Sequence, residues 1–190
     1  EYTREQNLYV TLRKFCPDVI LNCAAEIYDS NKMWEPNVMM VKTSLDWLKE
    51  NPSKKMIHIG SCLEYGIKER AANEQDFINP VDMYSATKGM ATLMCQGYAR
   101  QFGLDVTIAR PYSIFGKYER PHRLFPRLWQ AFNMDVPMTL YAGEHDFIYI
   151  DDFVRGLDKL INLQQSTYGD VINFSSGVQT SNKRVLEIFE

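Results

Sequence analysis

The sequence predicts an α/β protein in which helices cover both faces of a parallel sheet. Three observations lead there. Apolar runs at 18–25, 55–60 and 104–109 are too continuous for half-exposed strands and suit strands buried on both sides. The stretches between them carry apolar residues at helical spacing. Proline or glycine stands at the junctions, as Pro17, Pro52, Gly103 and Pro111. Strands that alternate with helices in units of this length build parallel sheets.

Each element has its own warrant. Residues 2–15 place Leu8, Leu12 and Phe15 at helical spacing and stop at Cys16-Pro17. Residues 18–25 form the first strand. A polar loop over 29–32 passes Pro36 into a helix over 37–49, whose face is Val38, Val41, Leu45 and Leu48; Asn51-Pro52-Ser53 ends it. The second strand is 55–60, followed by a long polar loop to Pro80. Residues 84–102 make a long packed helix with Gly103 where a C-terminal cap belongs. The third strand is 104–109. Right-handed crossovers then bring the strand ends near Ala24, Gly60 and Ala109 to one rim, where open sheets of this kind bind ligands.

Beyond Pro111 the rhythm loosens. A helix over 124–132, strands over 137–141, 147–150 and 171–174, and a helix over 153–163 capped by Asp151-Asp152 are expected. Ser181 opens a last helix that runs to Glu190.

Composition narrows the function classes. With 190 residues, 45% hydrophobic and 13% aromatic, the chain has material for a core and for one domain or slightly more. A net charge of −3 without a basic run leaves no electrostatic footprint for nucleic acid. No apolar run approaches the roughly 18 residues of a membrane helix, and Glu1-Tyr2-Thr3-Arg4-Glu5 is not a signal peptide. A soluble, cytoplasmic protein is expected, with no membrane or nucleic-acid partner. Cys16, Cys23, Cys62 and Cys95 form no CxxC pair and match no zinc spacing, so reduced thiols are expected. Cys23 and Cys95 lie in apolar segments, where a thiol acts as a small hydrophobe. His58, His122 and His145 are scattered, and no metal site is expected.

Chemistry concentrates at the rim. Tyr84-Ser85-Ala86-Thr87-Lys88 puts a phenol and an ammonium four residues apart at the start of a helix, on one face. A neighbouring cation favours phenolate and lowers a tyrosine pKa from near 10. Such a tyrosine can take a proton from an alcohol as hydride leaves, and return it in reduction. The same spacing in Tyr28 and Lys32 lies in a polar loop, with no helix to hold it. Ser61 directly follows the second strand, and its hydroxyl can donate to the oxygen that the tyrosine deprotonates.

The succession Cys23-Ala24-Ala25, Gly60-Ser61-x-x-x-Tyr65-Gly66, Tyr84-Ser85-Ala86-Thr87-Lys88, Arg110-Pro111-Tyr112-Ser113-Ile114-Phe115-Gly116 and Asp146 to Asp152 resembles the extended short-chain dehydrogenase/reductases. Within them it is most similar to the nucleotide-sugar epimerase/dehydratase branch. The resemblance implies a Rossmann-like dinucleotide-binding domain over 1–112 and a smaller mixed α/β substrate-binding region over 113–190, with elements returning to the first domain. It implies Tyr84 as acid/base, Lys88 as holder of the nicotinamide ribose, and Ser61 as third member. Cys23, Ala24, Ala25, Glu26, Asn37 and Tyr112 would contact the cofactor, NAD or, as the alternative, NADP. Cys62, Leu63, Ser113, Arg123, Arg127 and His145 would face a nucleotide-sugar substrate. A homodimer paired through long helices is expected on the same ground.

The sequence departs from the family in three places. It contains no G-x-x-G-x-x-G or G-x-G-x-x-G, and its opening helix matches a position inside the family's first domain, so an excerpt of a longer protein is expected. Cys62-Leu63 stands where the 4,6-dehydratases carry an Asp-Glu pair, which disfavours dehydration and leaves 4-epimerisation or 4-keto reduction. Ser113 and His145 stand where many relatives carry Asn and Arg; either Arg123 or Arg127 supplies the missing cation, or the substrate is not a nucleotide. The competing reading is a non-catalytic dinucleotide-binding scaffold or regulatory protein of the same fold.

Overall fold

The computed structural model describes residues 4–189, so the expected helix start at Tyr2 and helix end at Glu190 lie outside the described residues. In chain order the elements are α1 (Arg4–Phe15), β1 (Val19–Asn22), a 3-10 turn at Ser30–Lys32, a π-turn at Glu35–Met39 that runs into α2 (Met40–Glu50), β2 (Lys55–Ile59), a 3-10 turn at Cys62–Tyr65, α3 (Met83–Phe102), β3 (Asp105–Pro111), β4 (Ser113–Phe115), α4 (Leu124–Met134), β5 (Glu144–Tyr149), α5 (Ile150–Ile161), β6 (Asp170–Phe174), β7 (Gln179–Ser181) and α6 (Asn182–Phe189). They form two compact units, residues 1–110 with 158–173, and residues 111–157 with 174–190.

The first unit is built on the sheet β1-β2-β3-β6. Its first three strands run parallel, with Val19 opposite Lys55 and Lys55 opposite Asp105, so their carboxyl ends line up. Side chains alternate across a strand, and Met56, Val106 and Ile108 point to one face. There they meet Leu12 of α1, Val41, Leu45, Trp47 and Leu48 of α2, and Ala91, Cys95 and Ala99 of α3. The recurrence of 41, 45 and 48, and of 88, 91, 92, 95 and 99, is the period that buries one stripe of a helix. Gly103 caps α3 in the left-handed region (φ 65°), as its place in the sequence predicts.

The second unit holds a sheet of order β4-β5-β7, with β4 parallel and β7 antiparallel to β5. An aromatic cluster fills it. Phe115 stacks on Phe125 at 4.4 Å between ring centres, Phe125 meets Phe147 edge-on at 5.1 Å, and Phe189 of α6 lies 6.0 Å from Phe132.

The α/β class with a parallel sheet stands, and four local expectations are corrected. β1 ends at Asn22, so Cys23 sits in an exposed loop instead of an apolar strand, and Leu21 on the outer strand of the sheet is 40% exposed. No strand forms over 137–141. Asp135 ends α4 in the left-handed region (φ 52°), and Pro137 brings no N–H to a ladder. α5 begins at Ile150, so Asp151 and Asp152 occupy its first turn, where they favour the helix dipole, instead of capping it. The helix expected over 37–49 starts two residues earlier, as a wide turn led by Pro36. Among the described residues no helix is long and apolar enough to cross a membrane.

Leu45 is fully buried, whereas Phe77 is 90% exposed. Leu45→Ala is expected to cost about 3 kcal/mol in urea unfolding, from lost burial and the cavity left behind. Phe77→Ala is expected to change it by less than about 0.5 kcal/mol.

Candidate active site

The carboxyl ends of the strands turn polar on the face that is apolar further down. Asn22 continues the row of Ile20, His58 that of Met56, and Arg110 that of Val106 and Ile108, and all three polar residues are buried. α3 starts over this seam. Asp82 caps it by accepting from the Ser85 N–H at 2.7 Å, and Ser85 Oγ accepts from the Asp82 N–H at 3.1 Å. That reciprocal cap fixes Tyr84 in the first turn and Lys88 one turn on.

Ser61 leaves β2 in extended geometry and caps the 3-10 turn at Cys62–Tyr65, its Oγ accepting from the Leu63 N–H at 3.2 Å. Ser61 also acts on the half-buried Tyr84 phenol, favouring its ionised form. Burial nevertheless dominates, and with Glu64, Cys62 and Asp82 it pushes the phenol above its ordinary 10. The expected lowering by Lys88 is therefore not the prevailing effect. The Lys88 ammonium, 2% exposed, donates to the Ile59 carbonyl at 2.5 Å, and burial pulls its pKa down against the attraction of Glu64.

The loop after β1 is braced from inside. Asn37, presented by the π-turn and fully buried, accepts from the Glu26 N–H at 2.7 Å and donates to the Glu26 carbonyl at 3.0 Å and to Thr87 Oγ1 at 2.9 Å. Thr87 Oγ1 in turn donates to the Tyr84 carbonyl at 2.9 Å. Asn37, expected to meet a cofactor directly, thus spends its amide on the loop and on α3. Glu26 Oε1 accepts from the N–H groups of Ile27, Tyr28 and Asp29, which hold its carboxyl below the usual range. Cys23 and Ala25 are exposed on this loop, and Ala24 is half-buried. The decoy pair Tyr28 and Lys32 belongs to the same loop, where Lys32 pairs with Asp29 at 2.8 Å.

Cys62 is half-buried and Leu63 is 49% exposed. The remaining expected site residues lie in the second unit. The Tyr112 N–H donates to the Phe174 carbonyl at 2.9 Å. Ser113 Oγ and His145 Nδ1 are 3.5 Å apart, and burial together with Arg123 pushes the imidazole down from 6.5. His145 is therefore a neutral ring at pH 7 and Arg123 the cation beside it. The Arg123 Nε donates to Glu119 at 3.3 Å. Arg127 follows one turn along α4, half-buried.

Sequence reasoning missed the charged pair beneath Ser61. Glu64 Oε2 accepts from Arg110 Nε at 2.9 Å and lies 2.7 Å from Nη2, while Oε1 accepts from the Ser61 N–H at 2.7 Å. Burial outweighs the pull of Arg110 and of the Ser61 amide and holds the Glu64 carboxyl above its ordinary range. The Arg110 guanidinium lies 4.4 Å above the Tyr65 ring, whose hydroxyl donates to Asn173 Oδ1 at 2.8 Å. The S-x-x-E spacing of Ser61 and Glu64 is the signature of a capping box and is readable in the sequence. His58 was also missed as a member of the seam. Its Nδ1 meets Asn22 Nδ2 at 3.3 Å, and its Nε2 is buried without a hydrogen-bond partner among the described residues.

Comparison with known proteins places this geometry in context. The model of the NAD dependent epimerase/dehydratase family matches residues 1–174. The low-salt glycan biosynthesis protein Agl12 of Haloferax volcanii is 30% identical over 180 residues, covering 90% of this chain and 57% of its own. An uncharacterized UDP-glucose epimerase, YtcB of Bacillus subtilis, is 24% identical over 157 residues, 81% of this chain and 49% of its own. The chain thus spans about half the length of such relatives. Among solved structures, UDP-glucuronic acid 4-epimerase of Bacillus cereus, in complex with UDP-glucuronic acid and NAD, superposes with a TM-score of 0.86 at 27% identity, over 97% of this chain and 61% of that one. The NAD complex of dTDP-glucose 4,6-dehydratase from Bacillus anthracis shares the fold, with a TM-score of 0.88 at 22% identity over 98% of this chain and 60% of that one.

Burial, Lys88 and Arg110 hold the His58 imidazole well below 6.5. The unfolded chain therefore binds a proton there that the folded chain refuses. Stability carried by His58 is present above about pH 6.5 and is lost as the pH falls below it. His58→Gln is expected to flatten the native fall in unfolding free energy between about pH 6.5 and pH 5, read as the difference between the two proteins.

Proposed function

Because the chain belongs to the NAD dependent epimerase/dehydratase family, we propose that it carries the acid/base centre of an enzyme that oxidises and reduces C4 of a nucleotide sugar, by 4-epimerisation or 4-keto reduction. The observation that carries this reading is the placement of Ser61 as the cap of the turn after β2 and of Tyr84 and Lys88 one turn apart at the capped start of α3, with Ser61 favouring ionisation of the Tyr84 phenol. The likeness to a UDP-glucuronic acid 4-epimerase supports epimerisation.

NAD, when bound, supplies the hydride acceptor and donor. The loop after β1 suits a dinucleotide, because exposed Cys23 and Ala25 are small enough to let a ligand reach the backbone, while Asn37 and Glu26 keep its shape. Lys88 would hold the nicotinamide ribose, and Tyr112 would border the nicotinamide. Tyr84 takes the proton of the C4 hydroxyl in oxidation and returns it in reduction, and Ser61 donates to the same substrate oxygen. At rest the phenol is protonated, ready as an acid toward a 4-keto group. To act as a base it needs added positive charge. Cys62 and Leu63 carry no carboxyl to eliminate water, so the reaction stops short of 4,6-dehydration. In the second unit, Arg123 offers the cation for a diphosphate beside neutral His145, with Ser113 and Arg127 nearby in sequence or along α4.

In the full-length enzyme, Tyr84→Phe is expected to lower kcat by about 10²–10⁴ with NAD binding retained. Products followed by NMR should be C4 epimers or reduced sugars. Accumulation of a 4-keto-6-deoxy sugar, or wild-type protein inert toward UDP- and dTDP-sugars, overturns the assignment. We also place a homodimer contact on α3, where Met90 and Leu93 are 37% and 56% exposed. Leu93→Glu is expected to give monomers in sedimentation, and an unchanged species would remove that face from consideration.

A further inference from the structure

We propose that Glu64 is a positioning residue for Ser61, its carboxylate, locked by Arg110, fixing the serine backbone so that the hydroxyl meets the Tyr84 phenol. The functional meaning of this rests on the reading of Ser61 and Tyr84 above; the geometry does not.

Each carboxylate oxygen has its own task. Oε1 takes the Ser61 N–H at 2.7 Å, and Oε2 takes the guanidinium at 2.7 and 2.9 Å. A glutamate in an exposed capping box is free to swing away, because side-chain rotamers there interconvert rapidly. This one is not, since Glu64 is 0% and Arg110 1% exposed. Gly60 gives up its side-chain space to the same carboxylate. A Cβ there would lie 2.7 Å from Oε1 and 3.0 Å from Arg110 Cγ. Arg110 is itself immobilised between Glu64 and the Tyr65 ring, and Tyr65 is tied to Asn173 on β6. The Ser61 amide is thus referenced to β3 and β6 as well as to its own strand. A buried ion pair contributes little net stability compared with an apolar replacement, so its presence under the serine calls for a geometric use.

The groups bearing on Tyr84 are Glu64, Cys62 and Asp82, which raise it, and Ser61, which lowers it. This makes the phenol a reporter of serine placement. Tyrosine labelled with ¹³C at Cζ is titrated by NMR in this chain, the Tyr84 signal being assigned with Tyr84→Phe. In the native background Ser61→Ala is expected to move the Tyr84 titration to higher pH. In Glu64→Leu/Arg110→Met, which removes both charges together, the same Ser61→Ala change is expected to move it no further. Gly60→Ala keeps both charges but displaces Oε1, and is expected to uncouple the serine in the same way, whether or not the charge-free pair folds. A Ser61→Ala shift of native size in either folded background overturns the proposal. Turnover does not enter this measurement, so an enzyme inert toward nucleotide sugars would remove the proposed function and leave the positioning result standing.

Discussion

A carboxylate and a guanidinium 2.7 Å apart, both removed from water, set the conditions for everything at the rim of the sheet. Taking two such ions out of solvent costs several kcal/mol each, and mutual attraction offsets this only when the remaining hydrogen-bonding capacity is used. Here it is used. The Ser61 amide satisfies one oxygen of Glu64, and the Tyr65 ring faces the guanidinium. Removing either partner alone leaves an unpaired buried charge, so the turn at Cys62–Tyr65 and the end of β3 form one cooperative element.

Around that pair the ionisable groups stand close together. Lys88 is buried on a backbone carbonyl, His58 is kept uncharged by burial and by Lys88 and Arg110, and Tyr84 is kept protonated by burial and carboxylates. Such a resting state is quiet. It favours the acid form of the phenol and makes the base form dependent on added positive charge.

Much of this was legible in the sequence because it follows from period and punctuation. The three parallel strands, the stripe of Val41, Leu45 and Leu48, the cap at Gly103 and the pairing of Tyr84 with a helix all come from local pattern. What escaped is non-local or made by the backbone. Arg110 reaches Glu64 across 46 positions, and the partner of Lys88 is a carbonyl, which leaves no side-chain signal. The missing strand over 137–141 shows the opposite error. The apolar run pairs with no neighbour there: a left-handed aspartate ends α4 two residues before it, and Pro137 lacks an N–H. Ser61-x-x-Glu64 lay in plain view as a capping box, and only burial reveals that its glutamate is held rigidly.

The saturated amide of Asn37 has a further consequence. Because that side chain fastens Glu26 through main-chain atoms on both sides, the shape of the loop does not depend on which side chains 23 to 25 carry. A randomised library over these three positions would therefore accept most small residues as interchangeable, while position 37, never touching solvent, would tolerate almost none. Tolerance to change would then follow exposure to solvent, with the innermost residue acting as the constraint on heredity and the outermost ones left free to drift.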